Sequence, residues 1–278
     1  MLDNVGEKVN FDGRMLEKDE YIQSVQDERI WAGEIFYEVI RIIDGVPLFM
    51  EDHYERLCNS LHLAELDMQL PFKLLQKQIQ ALLRENKRIT CNLKIWVTSY
   101  EGLIHYFINI NKHFYPPADY YDNGIRTVSH SYMRRDPNIK YVAQDYRKEI
   151  ADIMEKQQAF EVLLLNQADV FTEGSRTNLF FVVGDLVYTA PEQMVLKGIT
   201  RKYTFQAIWR AGAEIVEKPV GRDLLYQVEG VFITGTSIRV LPVAQIDTQS
   251  FESAKNPIII KIGKEFNKIT NDYVQGGR

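Results

Sequence analysis

Two short stretches carry the residues best suited to chemistry: Asp136-Pro137-Asn138-Ile139-Lys140, and Phe171-Thr172-Glu173-Gly174-Ser175-Arg176-Thr177-Asn178. Proline fixes its own φ and restricts the residue before it, so Lys140 follows backbone with little freedom and its amine can be aimed. A lysine amine works as a nucleophile or base only where desolvation or a neighbouring cation disfavours its charged form. Lys140 is therefore expected to be buried. Taken singly, a lysine is a solvated surface charge and Glu-Gly-Ser is a turn. Further on, Leu196-Lys197-Gly198-Ile199-Thr200-Arg201 runs into a helix with Thr200 as N-cap. Free N–H groups at a helix start, beside a glycine that lets backbone come close, make a general anion site. Val231-Phe232-Ile233-Thr234-Gly235-Thr236-Ser237 ends an apolar strand in small hydroxyl residues.

The elements that must position these groups follow from hydrophobic period. After Lys140, Val142, Tyr146, Ile150, Ile153, Met154 and Phe160 recur at three and four residues, marking a buried helical face opposite Arg147, Lys148, Glu155 and Lys156. Glu161-Val162-Leu163-Leu164-Leu165 reads as a buried strand, a turn follows at Asn166-Gln167-Ala168-Asp169, and Asn178-Leu179-Phe180-Phe181-Val182-Val183 is the next strand. Thr200 opens a helix whose apolar side is Phe205, Ile208 and Trp209, and a closing helix carries Ile258, Ile262, Phe266, Ile269 and Tyr273. In the first half, residues 9–50 read as antiparallel sheet. Within it, Phe36-Tyr37-Glu38-Val39-Ile40-Arg41-Ile42-Ile43 is closed by Asp44-Gly45, and Val46-Pro47-Leu48-Phe49 completes a hairpin. A helix beginning acidic at Glu51-Asp52 holds His53 and Arg56, with His53 as a packing or capping residue. A second helix from Pro71 to about Asn86 has Leu74, Ile79, Leu82 and Leu83 as its apolar side. Strands 92–98 and 103–110 come next, joined by Ser99-Tyr100-Glu101-Gly102.

The fold class is α+β, in two domains: a small α/β domain over 1–118, a turn-rich linker at 119–124, and a larger domain over 125–278. A chain of 278 residues with 45% hydrophobic and 12% aromatic content can bury a substantial core. The formal charge of −5 and the lack of a basic stripe exclude a nucleic-acid or anionic-membrane surface. Cys58 and Cys91 are too few and too far apart for a disulfide framework or a zinc site, which points to a reducing cytoplasm and no metal. No stretch approaches the ~18 apolar residues that a membrane span requires.

The order lysine, helix, strand, glutamate, glycine, strand resembles the fold-type IV, class IV pyridoxal-phosphate enzymes. These include branched-chain aminotransferases, D-amino acid aminotransferases and aminodeoxychorismate lyases. The resemblance spans nearly all of the chain, with its motifs in family order. It implies pyridoxal 5'-phosphate held as a Schiff base by Lys140, with Glu173 at the pyridine nitrogen. Arg56 follows a strand, an Asp-Gly hairpin and His-x-x-Arg-Leu, as does the family arginine that grips the cofactor phosphate. Ile199, Thr200 and Thr236 match further phosphate contacts, Ser237 a substrate-carboxylate contact, and Tyr37 the side chain placed over the cofactor. The larger domain would be β-barrel-like with flanking helices, and the assembly a homodimer. The implied activity is transfer of an amino group between a branched-chain-like or D-amino acid and a 2-oxo acid. An aminodeoxychorismate lyase and a catalytically silent cofactor-binding protein are the alternatives. Tyr146 and Gln144 are both candidates for the ring-hydroxyl partner. Thr98-Ser99-Tyr100 lacks the Arg-x-His of the D-amino acid enzymes and the Thr-Arg-Gly of the lyases. Asn92-Leu93-Lys94 stands where branched-chain enzymes have Tyr-x-Arg, so the substrate stays open.

Overall fold

The computed structural model describes residues 4–20, 34–100 and 102–277. The expected sheet over 9–50 and the turn at 99–102 cross residues 21–33 and 101, which lie outside the described residues. Two units emerge. The first comprises Met1–Phe114, Ile139–Val142 and Tyr273–Arg278, and the second Tyr115–Asn138 and Ala143–Asp272. This division differs from the expected one in two respects. Lys140 groups with the N-terminal residues, and the expected linker is a helix that starts after Pro117 and ends at Gly124, whose φ of +76° suits glycine.

In the first unit, strands β1 (Lys8–Phe11), β2 (Arg14–Glu17), β3 (Ile35–Ile43), β4 (Val46–Pro47), β5 (Cys91–Tyr100) and β6 (Leu103–Asn111) pair in the order β2-β1-β6-β5-β3-β4. Burial alternates along β3, so one face of the strand lies in the core. Asp44 and Gly45, both at positive φ, close the hairpin from β3 to β4 as an Asp-Gly pair does. Helices α1 (Met50–Leu63) and α2 (Phe72–Glu85) cover that face. Leu75, Ile79, Leu82 and Leu83 make the buried side of α2, whereas Leu74, expected there, is 45% exposed. The helix begins at Phe72, and its inward stripe runs through Leu75, Ile79 and Leu82 at i, i+4 and i+7, which turns Leu74 outward.

The second unit opens with α3 (Ala118–Asn123). Its sheet runs β12 (Glu214–Glu217), β11 (Leu186–Thr189), β10 (Asn178–Val183), β13 (Gly230–Gly235), β14 (Arg239–Ile246), β7 (Ile125–Ser131), β8 (Glu161–Leu165) and β9 (Phe171–Gly174), with β15 (Gln249–Ser250) on β14. Pairs β7–β8 and β11–β12 are parallel and need crossovers, which α4 (Gln144–Gln157) and α5 (Ile199–Arg210) supply. The strand β8 is buried at every position, as the apolar run over residues 162–165 requires, and its first residue, Glu161, is buried with it. Helix α5 buries Thr204, Ala207 and Ile208, and Trp209, expected inside, is 77% exposed. The last helix, α6 (Pro257–Gly276), buries Ile259, Ile262, Phe266 and Ile269.

Candidate active site

In the first unit, backbone bonds fix Lys140 before its side chain is considered. Tyr37 N–H donates to the Lys140 carbonyl (3.1 Å), Val142 N–H donates to the Ile35 carbonyl (2.8 Å), and Lys140 N–H donates to Ser60 Oγ (3.3 Å). Phe36 and Tyr141 form the antiparallel bridge between these bonds, so the lysine segment adds to β3 as a short extra strand. The consequence is an amine placed over an aromatic ring, with Lys140 Nζ 4.6 Å from the Tyr37 centroid. Lys140 is half-buried rather than buried. A second lysine, Lys94, is buried on β5 with Nζ 4.8 Å from the same ring and 3.5 Å from that of Trp96. Tyr37 therefore has two lysine amines against its ring.

On the other side of β3, where α1 packs, Glu38 is buried and gathers α1 to the strand. Arg56 grips it through Nε and Nη2, each at 2.7 Å, and His53 Nδ1 lies 2.7 Å from the same carboxylate. Burial pushes the Glu38 carboxyl up, but the Arg56 charge and the His53 and Arg56 hydrogen bonds outweigh it and hold the group at about 2. Burial pulls the His53 imidazole down, against the pull of Glu38. Arg56 thus presents one edge of its fork to a carboxylate of its own chain, and His53 is a core histidine on a buried acid.

In the second unit, Glu173 is buried at the end of β9. Leu196 N–H donates to its Oε2 (2.9 Å), Arg134 Nη1 donates to Oε1 (3.1 Å), and Asn178 Nδ2 reaches Oε2 at 3.5 Å. Asn178 also donates to the Leu196 carbonyl (2.9 Å) and pairs across strands with Thr234. A Cβ on Gly198 would clash with Asn178, so glycine is what lets residues 196–198 close on that side chain. The start of α5 follows directly, with Gly198, not Thr200, at the N-cap and no side-chain cap. Thr200 lies inside the first turn, where its carbonyl accepts from Thr204. Ile199 is buried and Thr200 half-buried. The buried Arg201 pins this turn by donating to the Ala190 carbonyl (3.0 Å) and to Glu217 (2.6 Å). Thr236 and Ser237 sit half-buried in the turn after β13, and Thr234 Oγ1 is buried without a hydrogen-bond partner.

Glu173, the α5 start and the Thr234–Ser237 strand end are thus joined through Asn178, while Tyr37 and Lys140 meet in the first unit. Sequence reasoning missed Arg134, Asn178 and Glu38. Arg134 stands in an Arg-Arg pair that looks like surface charge, and only the burial of its partner distinguishes it. Glu38 had a signal: an acid inside an apolar strand, followed by His53 and Arg56 on one helix face. Tyr146, half-buried on α4, points its hydroxyl at the Ser175 carbonyl (3.4 Å), and burial raises its pKa, whereas Gln144 is exposed.

The family described as amino-transferase class IV matches residues 35–246. A D-alanine aminotransferase of Bacillus licheniformis is 30% identical over 257 residues, 88% of this chain and 90% of the relative. A branched-chain aminotransferase of Thermoproteus uzoniensis, solved with norvaline, shares the fold at a TM-score of 0.83 and 23% identity, over 96% of both chains. A second branched-chain amino acid aminotransferase, from T.th. and solved with pyridoxamine 5'-phosphate, matches at 0.84 and 22% identity, over 96% of this chain and 95% of that one. The chain belongs to the class IV aminotransferase family, which makes it an enzyme that transfers amino groups. Among the described residues, no helix is long and apolar enough to cross a membrane.

Proposed function

We propose that the protein is a pyridoxal 5'-phosphate-dependent transaminase that moves an amino group between an amino acid of the D-alanine or branched-chain kind and a 2-oxo acid, as a cytoplasmic homodimer. The observation that carries this reading is the amine of Lys140, held by backbone bonds on both sides and set over Tyr37. The donor set fits the cofactor: N–H groups at a helix start without a side-chain cap, and hydroxyls at an adjoining strand end, are what a phosphate takes. When bound, the cofactor supplies an aldehyde that condenses with amines and a ring that accepts the electron pair of a broken Cα–H bond.

The remaining work falls to this chain's side chains. Lys140 Nζ would hold the cofactor and, when a substrate amine takes its place, would serve as the base and acid for the substrate Cα proton. Glu173, fixed by Leu196 and Arg134, keeps a proton at the ring nitrogen. Ile199, Thr200 and Thr236 bind phosphate through N–H and hydroxyl groups, Arg56 adds charge, and Tyr146 partners the ring hydroxyl. Tyr37 bounds the site beside Lys140, and Ser237 receives the substrate carboxylate. The test is borohydride reduction of purified protein with pyridoxal 5'-phosphate, followed by peptide mapping. Label is expected on Lys140 and absent in Lys140→Ala, and single-turnover spectra with D-alanine and L-leucine, L-valine or L-isoleucine should show conversion to the pyridoxamine form. Label on another lysine, or no conversion with any of these amino acids, overturns the proposal.

A further inference from the structure

Glu161 is fully buried at the start of β8, yet it takes no part in the chemistry above. A buried carboxylate is costly unless donors surround it. Here the donors come from consecutive residues of one turn. Ser175 Oγ donates to Oε1 (2.5 Å), Thr177 Oγ1 donates to Oε2 (3.0 Å), Arg176 Nε lies 3.9 Å from Oε2, and Val162 N–H adds a bond to Oε1 (2.9 Å). The backbone agrees, since Ser175 N–H donates to the Val162 carbonyl and Gly174 N–H to the Thr177 carbonyl, both at 2.8 Å. At Gly174 a Cβ would clash with Thr177 Oγ1 and crowd the Glu161 side chain, so the turn is shaped around this carboxylate. Glu173 is the residue before Gly174, and neighbouring strand residues point to opposite faces. Glu161 therefore acts on the turn rather than on Glu173 itself.

We infer that Glu161 is the positioning residue of the site: by collecting Ser175, Arg176 and Thr177 it sets the end of β9 and so aims the Glu173 carboxylate at its place beside Leu196 N–H. The assignment rests on the role proposed for Glu173, and amide exchange tests it separately from that role. The Leu196 N–H, which donates to Glu173, is the reporter in the full chain without added cofactor. In Glu161→Ala, and independently in S175A/T177V should the first variant fold poorly, its exchange should rise about tenfold or more, with exchange in β5 unchanged. In Glu161→Gln, whose amide still offers an oxygen to Ser175 and Val162 and an N–H to a turned Thr177 hydroxyl, it should stay near the parent rate. With cofactor loaded, the slower single turnover of S175A/T177V should largely vanish as a separate effect in a Glu173→Gln background. Unchanged Leu196 exchange in both Glu161→Ala and S175A/T177V, or losses that add in full to that of Glu173→Gln, overturns the inference. If Glu173→Gln alone leaves turnover and spectrum untouched, the reading of Glu173 fails, and the exchange data still decide whether Glu161 sets the turn.

Discussion

At Glu173 the carboxylate accepts from the charged Arg134 on one oxygen and from Leu196 N–H and the Asn178 amide on the other, an arrangement that a neutral amide cannot reproduce. Glu173→Gln should keep borohydride labelling of Lys140 but slow amino-acid conversion by about a hundredfold or more, measured in single turnovers; equal rates would remove Glu173 from the mechanism. Arg56 needs a different test, because its fork is bound to Glu38. Arg56→Ala leaves a buried carboxylate without its main partner and should cost about 3–5 kcal/mol, so weaker cofactor binding in that variant would be read through a damaged fold. The double variant E38Q/R56M removes both charges and isolates the phosphate contact, and cofactor affinity equal to the parent's would withdraw Arg56 from the phosphate. The same cluster sets a pH dependence. Glu38, held at about 2 against an ordinary 4.5, stabilises the fold fully above that ordinary value and loses the contribution as pH falls towards 2. His53, lowered from 6.5, stays neutral in the fold, so the unfolded chain takes up its proton first as pH drops through 6.5. Both act in the same direction. Urea midpoints should be level above pH 7 and fall steadily below 6.5, more shallowly below 5 in Glu38→Gln; a parent curve flat down to pH 3 would contradict the assignment.

Element positions were legible where period and punctuation agreed, and phase was lost where they did not. Asp44-Gly45 announced its hairpin, and the strand and turn residues after Phe160 fell where their patterns placed them. On α2 adjacent leucines, Leu74 and Leu75, offered two inward stripes, and only the helix start chose between them. Leu75→Ala should therefore cost about 2–5 kcal/mol in urea unfolding and Leu74→Ala less than about 0.5; the reverse order would mean the helix is rotated. On α5 the hydroxyl of Thr200 drew the cap to the wrong residue, since Gly198 caps by backbone alone and leaves no side-chain signature. On the same helix the buried side runs through Arg201, Thr204, Ala207 and Ile208, which turns Trp209 outward. Candidate site residues could be singled out where motif residues stand together in the chain, as at Glu173, Thr200 and Thr236. Arg134 and Glu38 could not, because their significance comes from pairing with residues 39 and 18 positions away.

The first unit draws on three separate parts of the chain, and composition alone had placed its end near residue 118. Ile139–Val142 returns to satisfy Tyr37 N–H and the Ile35 carbonyl. Tyr273, far along the sequence, closes the start of α1. Its hydroxyl donates to Glu51 (2.6 Å) and accepts from Met50 N–H (3.3 Å), and its ring packs edge-on to Phe49 at 4.9 Å. Phe49 holds a left-handed backbone at φ +54°, a conformation that a bulky residue keeps only where its surroundings over-determine it. One helix therefore receives the C-terminal tyrosine at its start, Glu38 on His53 and Arg56 along its length, and the Lys140 N–H on Ser60 near its end. A fragment of residues 1–118 lacks both returns: polar groups on β3 lose their partners, and α1 starts without the contacts that hold Phe49. It should unfold in urea without a cooperative transition and show little amide protection in β3, whereas Tyr273→Phe in the full chain should cost only about 1–3 kcal/mol, the worth of a hydrogen bond to a charged group. A sharp transition in the fragment, with protection of Tyr37 N–H equal to that in the full chain, would show that the N-terminal stretch folds alone and that Lys140 merely docks on a finished surface.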